Sequence, residues 1–382
     1  MAKIKALMIG GRRCGKTTIL ANICKNANEV LHHAVDEGND LFRLNKDEKS
    51  INKLNKALKL IDEMFSCLSK FDEFPIDDNQ TAEESTIELN LQPLNRGEAL
   101  TLSFTDIPGE FCVTETQKVT EYIRQSQIII VAIDTPSMCE AEGHYFDICN
   151  KFTNIKNQFF DAFNHEYMSE SLTDKLVLLV PLKCEKYAIS SKTGEVDVEG
   201  LKKVNSLVKV HYKELINFFQ NDINEQKITL AILPIITISE VRWTDYYFLD
   251  ENGNRKTVYD ENTGKPYSEE FMGKYNLMSV FSFNSHLYDS AQKNGSVSYY
   301  CEQPLIYILT YAMKIVKVGK KPLNKSNFPL FGAIINTLRK WRDDLQSLFS
   351  GNGSYEKEIN RLSQRYMNRK NGFEILQNPL SI

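Results

Sequence analysis

Residues 10–17 read Gly10-Gly11-Arg12-Arg13-Cys14-Gly15-Lys16-Thr17, a full match to Gly-x-x-x-x-Gly-Lys-Ser/Thr. The apolar run Ile4 to Ile9 precedes this stretch, and helical spacing continues from Lys16 to about Asn26. Strand, glycine loop and helix in that order are what a phosphate-cradling turn needs. The glycines let the chain curl until successive N–H groups point inward at anionic oxygens, and the helix adds the positive end of its dipole. Gly10, Arg12, Arg13, Cys14 and Gly15 form the cradle. Lys16 reaches the terminal phosphates, and Thr17, followed by Thr18, brings a hydroxyl for Mg²⁺. At average residue usage, a chance match in 382 residues is roughly a 1% event. The sequence therefore predicts a nucleotide site at the head of an α/β domain.

Periodicity fills in the rest of that domain. Ile87, Leu89 and Leu91 alternate with Glu88 and Asn90, Asn95-Arg96-Gly97-Glu98 is turn chemistry, and Leu100, Leu102 and Phe104 alternate again. Together they predict a hairpin. The solid apolar runs Ile128 to Ile133, Leu176 to Leu182 and Ile228 to Thr237 suit central parallel strands covered on both faces. The predicted fold is a doubly wound P-loop sheet, mostly parallel with one antiparallel strand. Two insertions interrupt it. Residues 44–71 have the spacing of an amphipathic helix (Ile51, Leu54, Leu58, Ile61, Phe65, Leu68), and 243–284 read as a β-ribbon punctuated by Gly253 and Gly264. A helix opened by Pro304 closes the P-loop domain, taken as 1–318, and 319–382 read as a basic helical extension.

Composition limits the alternatives. Hydrophobic residues are 42%, charged residues 25% and the formal charge is −4, which excludes disordered or collagen-like chains and any global attraction to polyanions. The 8 cysteines contain no Cys-x-x-Cys pair, so metal ligation and a disulfide framework are both disfavoured and a reducing compartment fits. No stretch approaches the length of a membrane span, and the expected location is cytoplasmic. Adjacent His32 and His33 cannot face one way on a helix, so they make a poor metal site. From residue 315 onward, 12 basic residues stand against 5 acidic ones, around an apolar stripe of Phe331, Ile334, Ile335, Leu338, Trp341, Leu345 and Leu348. Such a segment either docks on the domain or offers a surface to a protein, nucleic acid or acidic membrane.

A second motif, Phe104-Thr105-Asp106-Ile107-Pro108-Gly109, ends the hairpin. Asp106 can hold Mg²⁺ through water and Gly109 can offer its N–H to a γ-phosphate. Asp106 as the cap of a following helix is the structural alternative.

With both motifs in this order, the chain resembles the TRAFAC clade of GTPases, which includes the Ras-like switches and translation factors. The long insertions place the resemblance nearer its divergent bacterial members, some of them found in conflict or defence gene clusters. It implies GTP and GDP as ligands, Mg²⁺ as cofactor, and a base-reading Asn/Thr-Lys-x-Asp motif after a later strand. Here that place holds Leu182-Lys183-Cys184-Glu185, where Lys183 matches and Glu185 substitutes for aspartate. A carboxylate there accepts from guanine N1–H and the exocyclic amine. Ser239 falls in the family's second base-contacting loop. The metal-binding switch threonine corresponds to Thr81 or Thr86.

The family's water-orienting glutamine is replaced by Glu110, which cannot donate when ionised and adds charge beside the phosphate, so slow hydrolysis is expected. Arg12 and Arg13 are either a built-in arginine finger or solvated side chains. Three functions remain: a slow Mg²⁺-dependent GTPase or switch, a nucleotide-binding scaffold without turnover, and an ATP-using P-loop phosphotransferase. A protein partner would engage the switch loops, the 243–284 ribbon or the C-terminal helices.

Overall fold

The computed structural model describes residues 2–32, 42–46, 63–75, 83–93, 100–163, 175–222, 228–260, 262–272, 274–318 and 372–378, with single positions at 52, 55 and 59. The described strands are β1 (Ala2–Ile9), β2 (Phe42–Lys46), β3 (Glu73–Pro75), β4 (Ser85–Pro93), β5 (Leu100–Asp106), β6 (Ile128–Asp134), β7 (Lys175–Leu182), β8 (Ile228–Ile232), β9 (Val241–Leu249), β10 (Arg255–Thr257), β11 (Met278–Phe283) and β12 (Glu374–Gln377). The long helices are α1 (Lys16–His32), α2 (Thr116–Gln125), α3 (Phe152–Ala162), α4 (Val198–His211) and α5 (Gln303–Val318).

The main sheet has the order β12-β8-β7-β6-β1-β5-β4-β2. Strands β5, β1, β6, β7 and β8 run parallel, and β4 returns antiparallel to β5, as the hairpin predicts. Every residue of β6, β7 and β8 is buried. Period-two alternation sends Ile128, Ile130 and Ala132 to the face covered by α1 and α5. Ile129, Val131 and Ile133 go to the face covered by α2 and α3. Helices on both faces are why these strands are unbroken apolar runs rather than alternating ones. Chain order reverses at β1, which lies between β5 and β6, and the ligand crevice of such sheets opens at the carboxyl ends of the strands there.

Several elements depart from the sequence expectation. Helix α1 continues past Asn26 to His32. The third apolar run is strand only to Ile232, because Pro234 has no N–H. On either side of it, Leu233 and Ile235 still donate to Leu179 and Pro181, at 2.9 and 3.0 Å. The first insertion opens with a strand rather than a helix, since Phe42 and Leu44 alternate with Arg43 and Asn45 and pair along β4. Its described helical positions are 52, 55, 59 and 63–67.

The ribbon is a four-stranded antiparallel sheet, β10-β9-β11-β3, whose last strand directly follows the first insertion. The two insertions therefore form one unit with its own apolar core, in which Phe65 meets Phe283 at 4.8 Å between ring centres. Residues 319–371, including the apolar stripe, lie outside the described set. The extension read as helical ends in β12, antiparallel to β8, with Ile375 packed on one face of the sheet and Leu376 on the other.

Candidate nucleotide site at the end of β1

The 10–15 loop closes the carboxyl end of β1 and feeds directly into α1. It is seated tightly. A Cβ on Gly11 would lie 1.7 Å from the Cys149 carbonyl oxygen, so only glycine permits this approach. Beneath the loop, the buried Lys16 ammonium donates to the carbonyls of Gly10 and Gly11 at 3.0 and 2.8 Å. Cys14 is turned into the core, where its thiol donates to Gly11 O at 3.1 Å and burial pushes its pKa up. Arg13 adopts a left-handed backbone, φ 58°. Thr18 is half-buried on α1, and its carbonyl accepts from Asn22.

The second motif meets the first. Thr17 donates its hydroxyl to Oδ2 of the fully buried Asp106 at 2.8 Å. A Cβ on Gly109 would lie 2.3 Å from the Arg12 nitrogen, so the Asp-x-x-Gly turn is pressed against the phosphate loop. A hydroxyl and a carboxylate converging at a helix N-terminus are hard oxygen donors, few in number, which suits Mg²⁺ that keeps phosphate and water in its remaining positions. The residues thus fit the implied ion. Among the described residues, no cluster of three or more His, Cys, Asp or Glu offers a separate metal site, and no helix is long and apolar enough to cross a membrane.

The switch threonines fare differently. Thr81 lies outside the described residues. Thr86 is exposed and pairs with Thr105, while its neighbour Ser85 pairs with Asp106. Opposed residues of an antiparallel pair share a face, so Thr86 points to the face away from Asp106 and Thr17. Thr86 is therefore not among the metal-side residues in this structure. Glu84, which the sequence did not single out, pairs with Lys118 at 2.7 Å and accepts from the Tyr122 hydroxyl at 2.6 Å. The start of β4 is in this way tied to α2, the helix that follows the Asp-x-x-Gly turn.

Arg12 is neither a free finger nor a bystander: its Nε pairs with Glu110 Oε1 at 3.0 Å. Of the three residues expected to bear on hydrolysis, Arg12 and Glu110 are thus paired with each other.

On the base side, the end of β7 abuts the loop, with Leu182 3.4 Å from where a Gly15 Cβ would stand. Glu185 is buried, and burial raises its pKa to about 7. The Thr237 N–H, the Thr237 hydroxyl and the Ile238 N–H donate to its Oε1 at 3.1, 3.3 and 3.4 Å. Ser239 does not take part, since its N–H is committed to Val297 O at 2.8 Å. Its two predecessors make the contacts to Glu185.

Lys183, in a left-handed backbone (φ 58°), donates to Asp134 Oδ2 and to Ser279 Oγ, the latter at 2.8 Å. Asp134 Oδ1 accepts from the Tyr246 hydroxyl and from Ser137 N–H. Buried Asn150 accepts from Asp134 N–H at 2.7 Å. None of Asp134, Asn150, Tyr246 and Ser279 was singled out from sequence. Only Asp134 had a signal, as the charged residue ending a solid apolar run.

No family model matches the chain, and no curated protein matches it. Among solved structures, the GTPase-like domain of Ski7 from S. cerevisiae, bound to GDP and inorganic phosphate, aligns at 13% identity with a TM-score of 0.31. The alignment covers 62% of this chain and 43% of that one. The GTP-bound form of that domain aligns at 10% identity, with the same coverages and TM-score. The match thus spans less than half of those chains. Likeness of this degree transfers no property.

Proposed function

We propose that the chain binds a guanine nucleoside triphosphate with Mg²⁺ and acts as a slow GTPase or nucleotide-controlled switch. One observation carries this reading: the glycine loop, Thr17, Asp106 and Gly109 come from two separated motifs, yet meet at the carboxyl end of β1. A glycine-rich turn with no ligand has no need for that convergence.

In the proposed complex, the loop N–H groups surround the phosphates, and Lys16 exchanges its two loop carbonyls for phosphate oxygens. Thr17 and Asp106 would hold Mg²⁺, which when bound supplies Lewis-acid charge neutralisation on the terminal phosphates. The Gly109 N–H would meet the γ-phosphate, and Glu84 would pass the position of α2 to β4. Glu185, once ionised, accepts from the two N–H groups that guanine presents and adenine lacks. Residues 1–318 are then the nucleotide unit, with β12 completing its sheet. A protein partner would engage the switch loops, the 243–284 ribbon or the 319–382 extension.

Glu110 governs the rate. Held by Arg12, it neither donates to the γ-phosphate nor orients water as a glutamine amide does, so turnover without a partner is slow. The same pair favours a second reading, a nucleotide-binding scaffold without turnover.

Equilibrium binding of labelled GTP and ATP with Mg²⁺ and unlabelled competitors tests the assignment, with Lys16→Ala as control. GTP preference that is lost in the variant supports it, and phosphate release then separates GTPase from scaffold. Equal affinity or ATP preference moves the chain to the ATP-using P-loop enzymes, and unchanged affinity in Lys16→Ala overturns the site altogether.

A further inference from the structure

The inserted sheet does more than decorate the domain. Its strands β9 and β11 send Tyr246 and Ser279 into the end of the main sheet, where they meet Asp134 and Lys183. All four are buried or nearly so: Asp134 is 3% exposed, Tyr246 3% and Ser279 8%, and the Lys183 side chain is 12% exposed. A lysine ammonium this far from water needs a full set of acceptors, because burying an ion without partners costs several kcal/mol. Here the set is split between two units. Asp134 belongs to β6 of the main sheet, and Ser279 belongs to the insertion.

Resting on the guanine-nucleotide reading, we propose that the inserted sheet is a wall of the nucleotide site, with Asp134, Ser279 and Tyr246 as positioning residues that act through Lys183. Three observations converge on this. The left-handed backbone at Lys183 is unusual for a residue with a Cβ and fixes the direction in which the side chain leaves β7. Asp134 and Ser279 together hold the ammonium, and Tyr246 and Ser137 occupy the other Asp134 oxygen, so the carboxylate is held as well. The lysine stem between these two fixed ends lies at the end of β7, whose Leu182 abuts the phosphate loop.

A base lying on that stem gains affinity only if the stem does not move. Affinity for the base then depends on residues that never touch the nucleotide, while phosphate affinity does not. Charge accounts for the order of effects. Losing Ser279 removes one neutral acceptor, losing the Tyr246 hydroxyl loosens Asp134, and losing the Asp134 charge leaves the ammonium without its counter-ion.

The test measures, for each variant, dissociation constants for GTP, ATP and inorganic tripolyphosphate, all with Mg²⁺. For Ser279→Ala and Tyr246→Phe, the expected result is a three- to tenfold loss in GTP affinity, with tripolyphosphate affinity and the far-UV spectrum unchanged. Ser279→Thr, which keeps the hydroxyl, restores GTP affinity. In a Lys183→Ala background, Ser279→Ala has no further effect. Should Asp134→Asn fail to fold, Ser279→Ala and Tyr246→Phe still decide the matter.

Unchanged GTP affinity in both variants, with GTP affinity lost in Lys183→Ala, overturns the positioning role and leaves the lysine contact intact. Equal loss of GTP and tripolyphosphate affinity also overturns it, because the effect is then structural. If the wild-type protein does not discriminate GTP from ATP, the underlying guanine assignment has failed instead, and both results are visible in the same titrations.

Discussion

The hydroxyl of Thr17 and the Oδ2 atom of Asp106 stand 2.8 Å apart, although 89 positions separate them in sequence. That single bond joins the phosphate loop to the end of β5. Thr17→Ala should leave the fold close to intact, since one net hydrogen bond is worth about 0.5–1.5 kcal/mol. It should nevertheless abolish the dependence of GTP affinity on Mg²⁺. Titrations in Mg²⁺ and in EDTA should differ strongly for the wild type and coincide for the variant. A variant that keeps the full Mg²⁺ response would remove Thr17 from the metal side.

Gly109 makes a steric prediction. A methyl group there meets the Arg12 nitrogen at 2.3 Å, which is backbone and cannot rotate away. Gly109→Ala should destabilise the protein by about 1–3 kcal/mol and push the two motifs apart. Nucleotide affinity should fall with it. Thermal unfolding with and without GTP measures both, and a variant with native stability and affinity would refute the close approach.

Glu185 predicts a pH dependence whose sign can be worked out. Burial raises its folded-state pKa to about 7, above the ordinary 4.5, so the folded chain holds the proton more tightly than the unfolded one. Its contribution to stability is therefore full below about pH 4.5 and is lost as pH rises through 7. Glu185→Gln keeps an oxygen for the Thr237 and Ile238 N–H groups and removes the buried charge. The variant should gain stability above pH 7, on the order of 3 kcal/mol at most, with the gain vanishing towards acid. Guanine selectivity should be lost, because the amide cannot accept two N–H bonds as a carboxylate does. In the wild type, GTP affinity should weaken below pH 7. Denaturant titrations at pH 5 and 8 decide the first point and competition binding the second.

Glu110→Gln addresses turnover. An amide at this position can donate to the γ-phosphate and releases Arg12 from its ion pair. Single-turnover phosphate release should accelerate by roughly tenfold or more, in line with the value of one well-placed donor. GTP affinity should stay within a few-fold of wild type. If Glu110→Gln hydrolyses no faster than the wild type, Glu110 is not what limits the rate, and the scaffold reading gains.

The legible parts of this fold were those that local chemistry alone decides. The 10–17 loop, the hairpin of β4 and β5 and the buried runs of β6 and β7 each carry their own period or turn signal. The Thr17–Asp106 contact was foreseeable because both residues end strand or loop motifs at the same edge. What stayed hidden depends on pairing across distance. Glu73–Pro75 is three residues long and is a strand only because β11 lies beside it. Glu374–Gln377 likewise takes its conformation from β8. Thr86 matched the family pattern, but its face was set by the register with Thr105, which no local signal encodes. Tyr246 and Ser279 sat in a segment whose composition announced a ribbon and nothing about where that ribbon docks.

The return of the chain to the main sheet has a topological consequence. The backbone leaves α5 at Val318 and re-enters at Gly372, where the Asn205 amide donates to the Gly372 carbonyl and Lys209 pairs with Glu374 at 2.9 Å. Residues 319–371 are thus bounded on both sides by elements of the domain. A chain cut once between these two points yields two pieces that remain associated, because β12 stays hydrogen-bonded to β8. Force applied between these two points reaches the domain along two lines, one running to the helix against α1 and the other to the outer edge of the sheet.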